Sequence, residues 1–472
     1  MAFLLVPLVL AVLVTANWYL WRRLFRDTTR APGPVRRGGA VLIAGGWALA
    51  VGALVAERAG APFRLQRVLA WPGFLWLALS VYLLLAVVAG EAVRPLLRRY
   101  LERRRSAGAA VPPAEGPKDA PREETEPVPA GRTREETAPA AAAPAEGTVS
   151  AAGAPGEAPA PGARAGATAD AAAHAPGTAD GSGPSAGDAA GASPPVAAPS
   201  RRLFVSRVIG GAAAAAAVGT VGYGTYGVLR GPEVKRVTVP LAKLPRAAHG
   251  YRIAVVSDIH LGPVLGRGFA QKVVDTINGT QPDLIAVVGD LVDGSVKDLG
   301  PAAAPLARLK ARHGSFFVTG NHEYFSGAEQ WVEEVRRLGL RPLENARTEL
   351  PWFDLAGVND VAGESEGQGP DFARALGDRD TTRACVLLAH QPVQIHDAVD
   401  HGVDLQLSGH THGGQLWPGS LLAAAANPTV AGLERYGDTQ LYVSRGAGAW
   451  GPPTRVGAPS DITVIELASR QA

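Results

Sequence analysis

The chain contains 472 residues, including 57 glycines and 38 prolines, and carries a formal net charge of +3 at pH 7. This length and composition exclude a single compact domain with one continuous core. The single cysteine, Cys385, excludes an intramolecular disulfide and a cysteine-rich zinc cluster, so a bound metal must be held by His, Asp, Glu or Asn side chains.

Three apolar runs near the N-terminus, residues 2–21, 38–56 and 73–90, contain no charged residue. Each approaches the roughly 20 residues that a membrane-spanning helix needs, so we predict a membrane region with three transmembrane helices over residues 1–105. A signal peptide followed by buried core helices is the alternative interpretation.

Arginines crowd the connection after the first run, over residues 22–37, and the segment after the third run, over residues 94–105. Such tracts beside apolar runs are typical of membrane topology and not of nucleic-acid binding. The positive-inside rule places both segments in the cytoplasm. We therefore expect the membrane as a partner, no nucleic-acid-binding surface and no obligate protein partner.

Residues 106–200 are rich in Ala, Pro, Gly, Glu and Thr and have almost no large apolar side chains. Such a segment cannot bury enough surface to offset the entropy lost on ordering. We predict a disordered linker that begins on the cytoplasmic side.

A twin-arginine-like segment, Arg201 and Arg202, precedes an uncharged Ala/Gly-rich stretch over residues 208–229. Residues 201–232 are read as an export signal or as two arginines before an ordinary fourth transmembrane helix. Both interpretations take the chain from the cytoplasm to the outside of the membrane. A soluble or interfacial segment is the third alternative. We therefore expect a multi-pass protein of the cell membrane with an extracytoplasmic C-terminal domain.

Residues 233–472 have the composition of a globular domain large enough for a full core. Apolar β-type runs alternate with helical patterns, which predicts an α/β fold in which two facing sheets carry outer helices, a four-layer α-β-β-α sandwich. The predicted helices are 269–277, 302–311 and 328–338. The predicted strands are 252–257, 284–288, 315–319, 353–358, 384–388, 403–407, 441–444 and 462–467.

Five polar clusters each follow directly on one of these strands. Ligands of open α/β sheets gather at the carboxyl ends of strands, where we expect the clusters to converge. The clusters are Asp258 with His260, Asp290, Asn321 with His322, His390, and His410 with His412.

Aspartate and histidine with one neutral carbonyl ligand suit Mn, Fe or Zn, whereas Mg and Ca prefer fewer imidazoles. The set indicates two divalent metal ions bridged by one carboxylate, about 3.5–4 Å apart. Asp290 lies in the middle of the constellation and is the natural bridge.

The five clusters resemble the signature of the calcineurin-like metallophosphoesterase superfamily, in the family's order. The matching blocks are Ser257–Asp258–Ile259–His260, Gly289–Asp290–Leu291–Val292–Asp293, Gly320–Asn321–His322–Glu323, His390 and Gly409–His410–Thr411–His412. Two further runs, Gly413–Gly414–Gln415 and Ser444–Arg445–Gly446, resemble the bacterial membrane-anchored branch. The tail at 458–461 is less rich in Pro and Glu than that branch.

The resemblance implies a role for each site residue. Asp258, His260 and His412 would join Asp290 on the first metal. Asn321, His390 and His410 would join Asp290 on the second. His322 would be a catalytic residue beside the phosphoryl group, as an acid or a charge stabiliser, and not a ligand.

Several polar residues near the blocks have two open interpretations. Asp293 and Glu323 either orient ligands or serve as helix caps or surface groups. Arg445 and Arg455 either meet a phosphate or form surface ion pairs. The histidines outside the blocks are expected to be structural: His249, His313, His396 and His401.

The resemblance implies hydrolysis of a phosphate-ester substrate by metal-bound hydroxide. A phosphodiester or pyrophosphate of lipid, nucleotide or cell-envelope origin is favoured for a site that faces outward. The alternative from another class is a membrane-anchored, non-catalytic binding or sensor protein that uses the same scaffold.

The topology has a direct test. Protease added to sealed spheroplasts should degrade the C-terminal domain, whereas an epitope early in the linker 106–200 should stay intact, because the arginine distribution places them on opposite sides. Protection of the domain until the membrane is breached would contradict the outward orientation.

Overall fold

The computed structural model describes residues 2–109 and 200–471. The described residues up to Gly108 and from Ser200 onwards lie in one compact unit. The predicted linker, residues 106–200, lies outside the described residues except at its ends. There the third helix runs on to Ala109, and the Ser200 side chain accepts a hydrogen bond from the Leu203 amide at the start of the fourth.

Among the described residues, four helices that precede the C-terminal domain are long and apolar enough to cross a membrane, as judged by length and composition. They contain the predicted apolar runs, and in α1 and α2 large apolar side chains such as Leu10 and Val41 are mostly exposed. The exposure of these side chains favours membrane spans over buried core helices for α1 and α2. The helices are α1 (Ala2–Trp21), α2 (Pro34–Arg58), α3 (Phe63–Ala109) and α4 (Arg201–Leu229).

The arginine-bearing parts of these helices contact one another. Arg23 pairs with Glu91 at 3.0 Å, which joins the end of α1 to α3. Arg94 donates to the Ser206 hydroxyl at 3.3 Å, which joins α3 to α4. The segments with the predicted cytoplasmic charges thus lie at one end of the helical cluster.

The C-terminal domain alternates strands and helices. Its helices are α5 (Arg267–Gly279), α6 (Val296–Ala303), α7 (Asn321–Ser326), α8 (Ala328–Arg337), α9 (Phe372–Leu376), α10 (Ile395–Asp400) and α11 (Gly419–Ala426). Its strands are β1 (Glu233–Leu241), β2 (Tyr251–Val256), β3 (Leu284–Val288), β4 (Ser315–Val318), β5 (Arg341–Pro342), β6 (Ala346–Glu349), β7 (Phe353–Gly357), β8 (Ala384–Leu388), β9 (Leu405–Ser408), β10 (Gly432–Tyr436), β11 (Thr439–Val443) and β12 (Asp461–Ser469).

The strands form two six-stranded sheets, in the orders β1-β12-β2-β3-β4-β5 and β10-β11-β9-β8-β7-β6. Side chains from both sheets, including Ile253, Phe316 and Phe353, share one buried cluster, so the sheets pack face to face. On its outer side the first sheet packs against α5, α6 and α8, and the second packs against α9 and α10. The predicted four-layer α-β-β-α sandwich is confirmed.

Some predicted elements differ from the structure. The predicted helix 302–311 is wrong: α6 ends at Ala303 and a 3-10 turn follows over Ala304–Arg308, because Pro305 cannot donate to an α-helical ladder. The nine-residue strand β1 was not predicted because charged residues interrupt its apolar pattern. It pairs in parallel with β12 from Glu233 to Leu241.

Helix α4 packs closely against the C-terminal domain at Gly224. A Cβ at this position would lie 2.5 Å from the backbone oxygen of Arg455, so only glycine permits this approach. The neighbouring Thr225 hydroxyl lies 2.7 Å from that of Thr454. The absence of a side chain at Gly224 thus lets α4 and the domain make direct polar contact.

This contact gives a test with a matched control. Gly224→Ala should destabilise the protein by about 1–3 kcal/mol, because the added methyl group overpacks the interface. Gly222→Ala, on the same helix, has no atom within 4 Å of its new Cβ and should be neutral or slightly stabilising. Thermal unfolding of the full chain in detergent measures both, and equal melting temperatures for the two variants would contradict the close packing.

Candidate metal centre

The polar clusters lie where adjacent strands end. Asp258 follows β2 and Asp290 follows β3, while Asn321 begins α7 just after β4. On the facing sheet, His390 follows β8 and His410 follows β9. Because these strands are neighbours within their sheets, their carboxyl ends bring side chains from distant parts of the chain to one edge of the sandwich.

Four side chains form a first group with metal-ligand geometry. One donor atom from each of Asp258, His260, Asp290 and His412 lies within 4.8 Å of the others. His260 Nε2 is 3.0 Å from His412 Nε2, and His412 Nε2 is 3.3 Å from Asp258 Oδ1. All four residues are buried, so their donor atoms converge below the protein surface.

A second group meets the first at Asp290. Asp290, His390 and His410 have donor atoms within 4.8 Å of one another, and Asn321 Oδ1 lies 3.0 Å from His410 Nδ1. Asp290 Oδ2 is 3.8 Å from His260 Nε2 in the first group and 3.2 Å from His390 Nε2 in the second. One carboxylate oxygen therefore faces both groups, and the structure brings all seven predicted ligands together.

Much of this cluster has unusual backbone geometry. Positive φ angles are uncommon in non-glycine residues, yet five of the seven predicted ligands have one. Backbone strain is therefore concentrated at the site. Their φ angles are 51° at Asp258, 49° at His260, 51° at Asp290, 70° at His410 and 52° at His412.

Glu323 holds the backbone around Asp290. This fully buried carboxylate accepts hydrogen bonds from the amides of Asp290 (2.9 Å), Leu291 (2.8 Å) and Gly320 (2.6 Å). Burial and the nearby Asp290 charge raise the pKa of Glu323 to about 7. Gly320 completes this packing, since a Cβ there would lie 2.3 Å from Asp290 Oδ1. Glu323 thus fixes the loop that carries Asp290.

Asp293 orients two histidines at once. Its Oδ1 lies 2.8 Å from His260 Nδ1 and 2.8 Å from His322 Nδ1. Burial opposes ionisation of this carboxyl, but the two imidazoles outweigh burial and lower the pKa of Asp293 to about 2. Burial likewise opposes protonation of His322, but its hydrogen bond to Asp293 raises the pKa of His322 to about 9. The interpretation of Asp293 as an orienting group fits these contacts.

The donor set fits divalent cations. His390 Nδ1 lies 2.8 Å from the Val288 carbonyl, which fixes the proton there, while buried Nε2 has no hydrogen-bond partner and faces Asp290. Such an orphaned ring nitrogen is typical of a metal ligand whose other nitrogen is hydrogen-bonded. Burial lowers the pKa of His410 to about 4, which keeps its imidazole neutral and able to bind a cation.

Arg455 is hydrogen-bonded to backbone carbonyls and not to a surface acid. It is buried, and its guanidinium donates to the backbone carbonyls of Gly448, His412, Ala458 and Arg445 at 2.7–3.1 Å. The interpretation as a surface ion pair is therefore wrong for Arg455, which ties together the loops beneath His412, while its contact with a phosphate stays a prediction. For Arg445 the two interpretations stay open.

A cavity of about 490 Å³ opens over the cluster and includes residues that sequence patterns did not indicate. Phe325 and Trp450 flank His322, with ring centroids 5.6 Å and 5.7 Å from the imidazole. The end of α2 also lines the cavity, through Leu54, Glu57 and Arg58. No periodicity or spacing connects these residues to the metal blocks, so only the folded chain reveals them.

Known proteins resemble this chain over the region that contains the cluster. Residues 251–414 match the family described as calcineurin-like phosphoesterase. The chain is 34% identical to an uncharacterized metallophosphoesterase of Aquifex aeolicus, over 50% of this chain and 92% of that protein. It is 31% identical to one of Bacillus subtilis, over 57% of this chain and 98% of that protein.

A longer relative shares the same region. The chain is 39% identical over 259 residues to a transmembrane protein with metallophosphoesterase domain from Danio rerio. This match covers 52% of the present chain and 59% of the Danio rerio protein. The chain thus spans about three fifths of that relative's length.

The position of Asp293 gives a test of the cluster. Asp293→Asn should weaken binding of Mn²⁺ about 10–100-fold, because residues that orient metal-binding histidines typically contribute that much. Asp275→Asn, on the exposed face of α5, is the matched control and should bind normally. Calorimetric titration of the metal-stripped protein measures both, and equal affinities would show that Asp293 does not orient a ligand.

Proposed function

The chain belongs to the calcineurin-like phosphoesterase family, and we propose that it hydrolyses phosphate esters at two divalent cations. The observation that carries the proposal is the position of Asp290 Oδ2, which faces His260 in one ligand group and His390 in the other. A carboxylate shared in this way suits a bridge between two cations.

The ligands divide between the two positions. Asp258, His260 and His412 would hold the first cation with Asp290. Asn321, His390 and His410 would hold the second with Asp290. This donor set of imidazole, carboxylate and one amide oxygen favours Mn, Fe or Zn. Bound there, two cations would supply an activated water and neutralise charge on the phosphoryl oxygens.

The side chains around the cations have separate tasks. His322 lines the cavity, and its Nδ1 donates to Asp293, which leaves Nε2 for the phosphoryl group or leaving oxygen. In this position it would transfer a proton to the leaving oxygen or stabilise its charge. Asp290 would hold both cations through its carboxylate, and Asp293 keeps the His322 ring oriented.

The favoured substrates are phosphodiesters and pyrophosphates. A cavity of about 490 Å³ has room for a phosphoryl group with a sizeable substituent on the leaving side. The complete set of seven ligands weighs against a non-catalytic binding or sensor protein, since loss of a ligand is expected in a site without catalysis.

We place the protein in the cell membrane with four spans and an extracytoplasmic catalytic domain. Support comes from the four long apolar helices and from the arginine-rich contacts at one end of the cluster. The opposite end of α2, at Leu54 and Arg58, reaches the catalytic cavity. The charged segments and the site thus lie at different ends of the helices.

Asp290→Asn tests the proposal. It should lower the rate of bis-para-nitrophenyl phosphate hydrolysis about a thousandfold or more and reduce bound metal, because the bridge loses its charge. Asp438→Asn, on the exposed turn between β10 and β11, is the control and should keep both. Release of nitrophenolate and elemental analysis give the two readouts.

Removal of the metal with a chelator gives a second test in the same experiment. Wild-type activity should disappear with the chelated metal and return with added Mn²⁺. Asp290→Asn protein that retains both its rate and its metal would contradict the assignment.

A further inference from the structure

One wall of the catalytic cavity comes from an apolar helix and not from the C-terminal domain. Leu54, Glu57 and Arg58 at the end of α2 line the same space as His322 and His412. The site is therefore composite, and a substrate bound at the cations lies beside a helix that is long and apolar enough to span a membrane.

The rim of this cavity is apolar and open. Phe325 is 74% exposed and Trp450 is 53% exposed, although both rings contact His322. Across the cavity, Leu54 is 43% exposed, and the adjoining Val55 is 57% exposed. Large exposed apolar side chains grouped around a polar site indicate contact with an apolar ligand or with lipid.

The loop that supports Trp450 is packed into the helical cluster. The Gln415 side chain accepts a hydrogen bond from the Trp450 amide at 3.0 Å and donates to the Trp450 carbonyl at 2.9 Å. The next residue, Leu416, packs with Val456 against a cluster that includes Tyr82 of α3. The Tyr82 hydroxyl donates to the Trp417 carbonyl at 2.9 Å.

These contacts determine where the rim of the cavity lies relative to the apolar segments of the helices. Tyr82 lies near the middle of the apolar run 73–90, so the Trp417 loop reaches the level of the apolar segments. The following helix α11 presents Leu421 and Leu422, which are 69% and 78% exposed. Apolar side chains at this level face acyl chains when the helices span a bilayer.

We propose that the substrate is an amphiphilic phosphate ester that stays in the bilayer while its phosphate reaches the cations. Its acyl chains would leave the cavity between Leu54 on α2 and Phe325 and Trp450 on the domain. Glu57 and Arg58 would stand beside the polar headgroup. The proposal rests on the proposed function, because it adds a substrate class to the same metal site.

A pair of substrates with one leaving group tests this inference. The full chain is reconstituted in phosphatidylcholine vesicles with Mn²⁺ and given either diacylglycero-phospho-para-nitrophenol or water-soluble bis-para-nitrophenyl phosphate. In the lipid reaction the oxygen of water bonds to phosphorus and the bond to nitrophenolate breaks. Phosphatidate remains in the vesicle, and a proton is released to solvent. We expect kcat/KM to be at least about tenfold higher for the lipid ester, as for one additional buried apolar group.

The acyl chains would leave through an opening between Leu54, Phe325 and Trp450, which we call the lipid portal. Variants of its rim distinguish binding of lipid at this portal from the simple enrichment of lipid around a membrane protein. Leu54→Ser and Phe325→Ser should each lower the ratio of lipid-ester to soluble-diester kcat/KM about tenfold, because each removes apolar contact with the acyl chains. Leu433→Ser is the matched control, since this exposed residue on β10 does not line the cavity. It should leave the ratio unchanged.

The outcomes distinguish the two proposals. Hydrolysis of the soluble diester without preference for the lipid ester would overturn the lipid portal and leave the phosphoesterase proposal standing. A lipid preference that Leu54→Ser and Phe325→Ser do not change would also overturn the portal. Absence of metal-dependent hydrolysis of both substrates would overturn the proposed function and the portal with it. If a second copy of the chain covered the rim, activity would depend on the density of protein in the vesicle and would show no preference for the lipid ester. That result would also overturn the lipid portal.

Discussion

Two buried carboxylates, Asp258 and Asp290, have donor atoms within 4.8 Å of each other in the interior of the domain, and burial together with the Asp290 charge raises the pKa of Asp258. Burying ionised carboxylates without partners is strongly unfavourable. The surrounding imidazoles oppose this penalty: against the effect of burial, His390 and His260 lower the pKa of Asp290 well below its ordinary value. Reciprocally, Asp290 and Asp258 raise the pKa of His390 against burial. The cluster thus favours positive charge at its centre, which bound metal would supply.

Keeping those charges together requires a rigid frame. Glu323 binds three backbone amides around Asp290, and Arg455 binds four carbonyls beneath His412. One buried carboxyl and one buried guanidinium therefore fix the loops on either side of the site, and the guanidinium also lies 3.2 Å from His412 Nδ1. This division explains how strained positive-φ backbone persists at five of the predicted ligands.

The sequence predicted the strands β3 and β8 with their observed bounds, because continuous apolar runs end there in polar residues. It also predicted the seven residues that the structure brings together, since each follows a strand. It did not predict β1, whose charged residues hide the pattern of an edge strand, or the 3-10 turn at Pro305. The contributions of Leu54, Phe325 and Trp450 depend on tertiary contacts between distant segments, which leave no periodic signal in the chain. The disordered linker and the domain boundaries stay predictions.

The connection between α4 and β1 has a kinetic consequence. Only Arg230, Gly231 and Pro232 separate the end of α4 from the first strand, and Gly224 holds α4 against the domain. Because this connection is so short, the domain cannot move away from its own helices. The opening of its catalytic cavity therefore stays at a fixed height above the surface of a membrane that holds those helices. Encounters with any substrate confined to that membrane are then governed by lateral diffusion and by surface density. Diluting the substrate with inert lipid would slow turnover even when the total amount in the sample is unchanged.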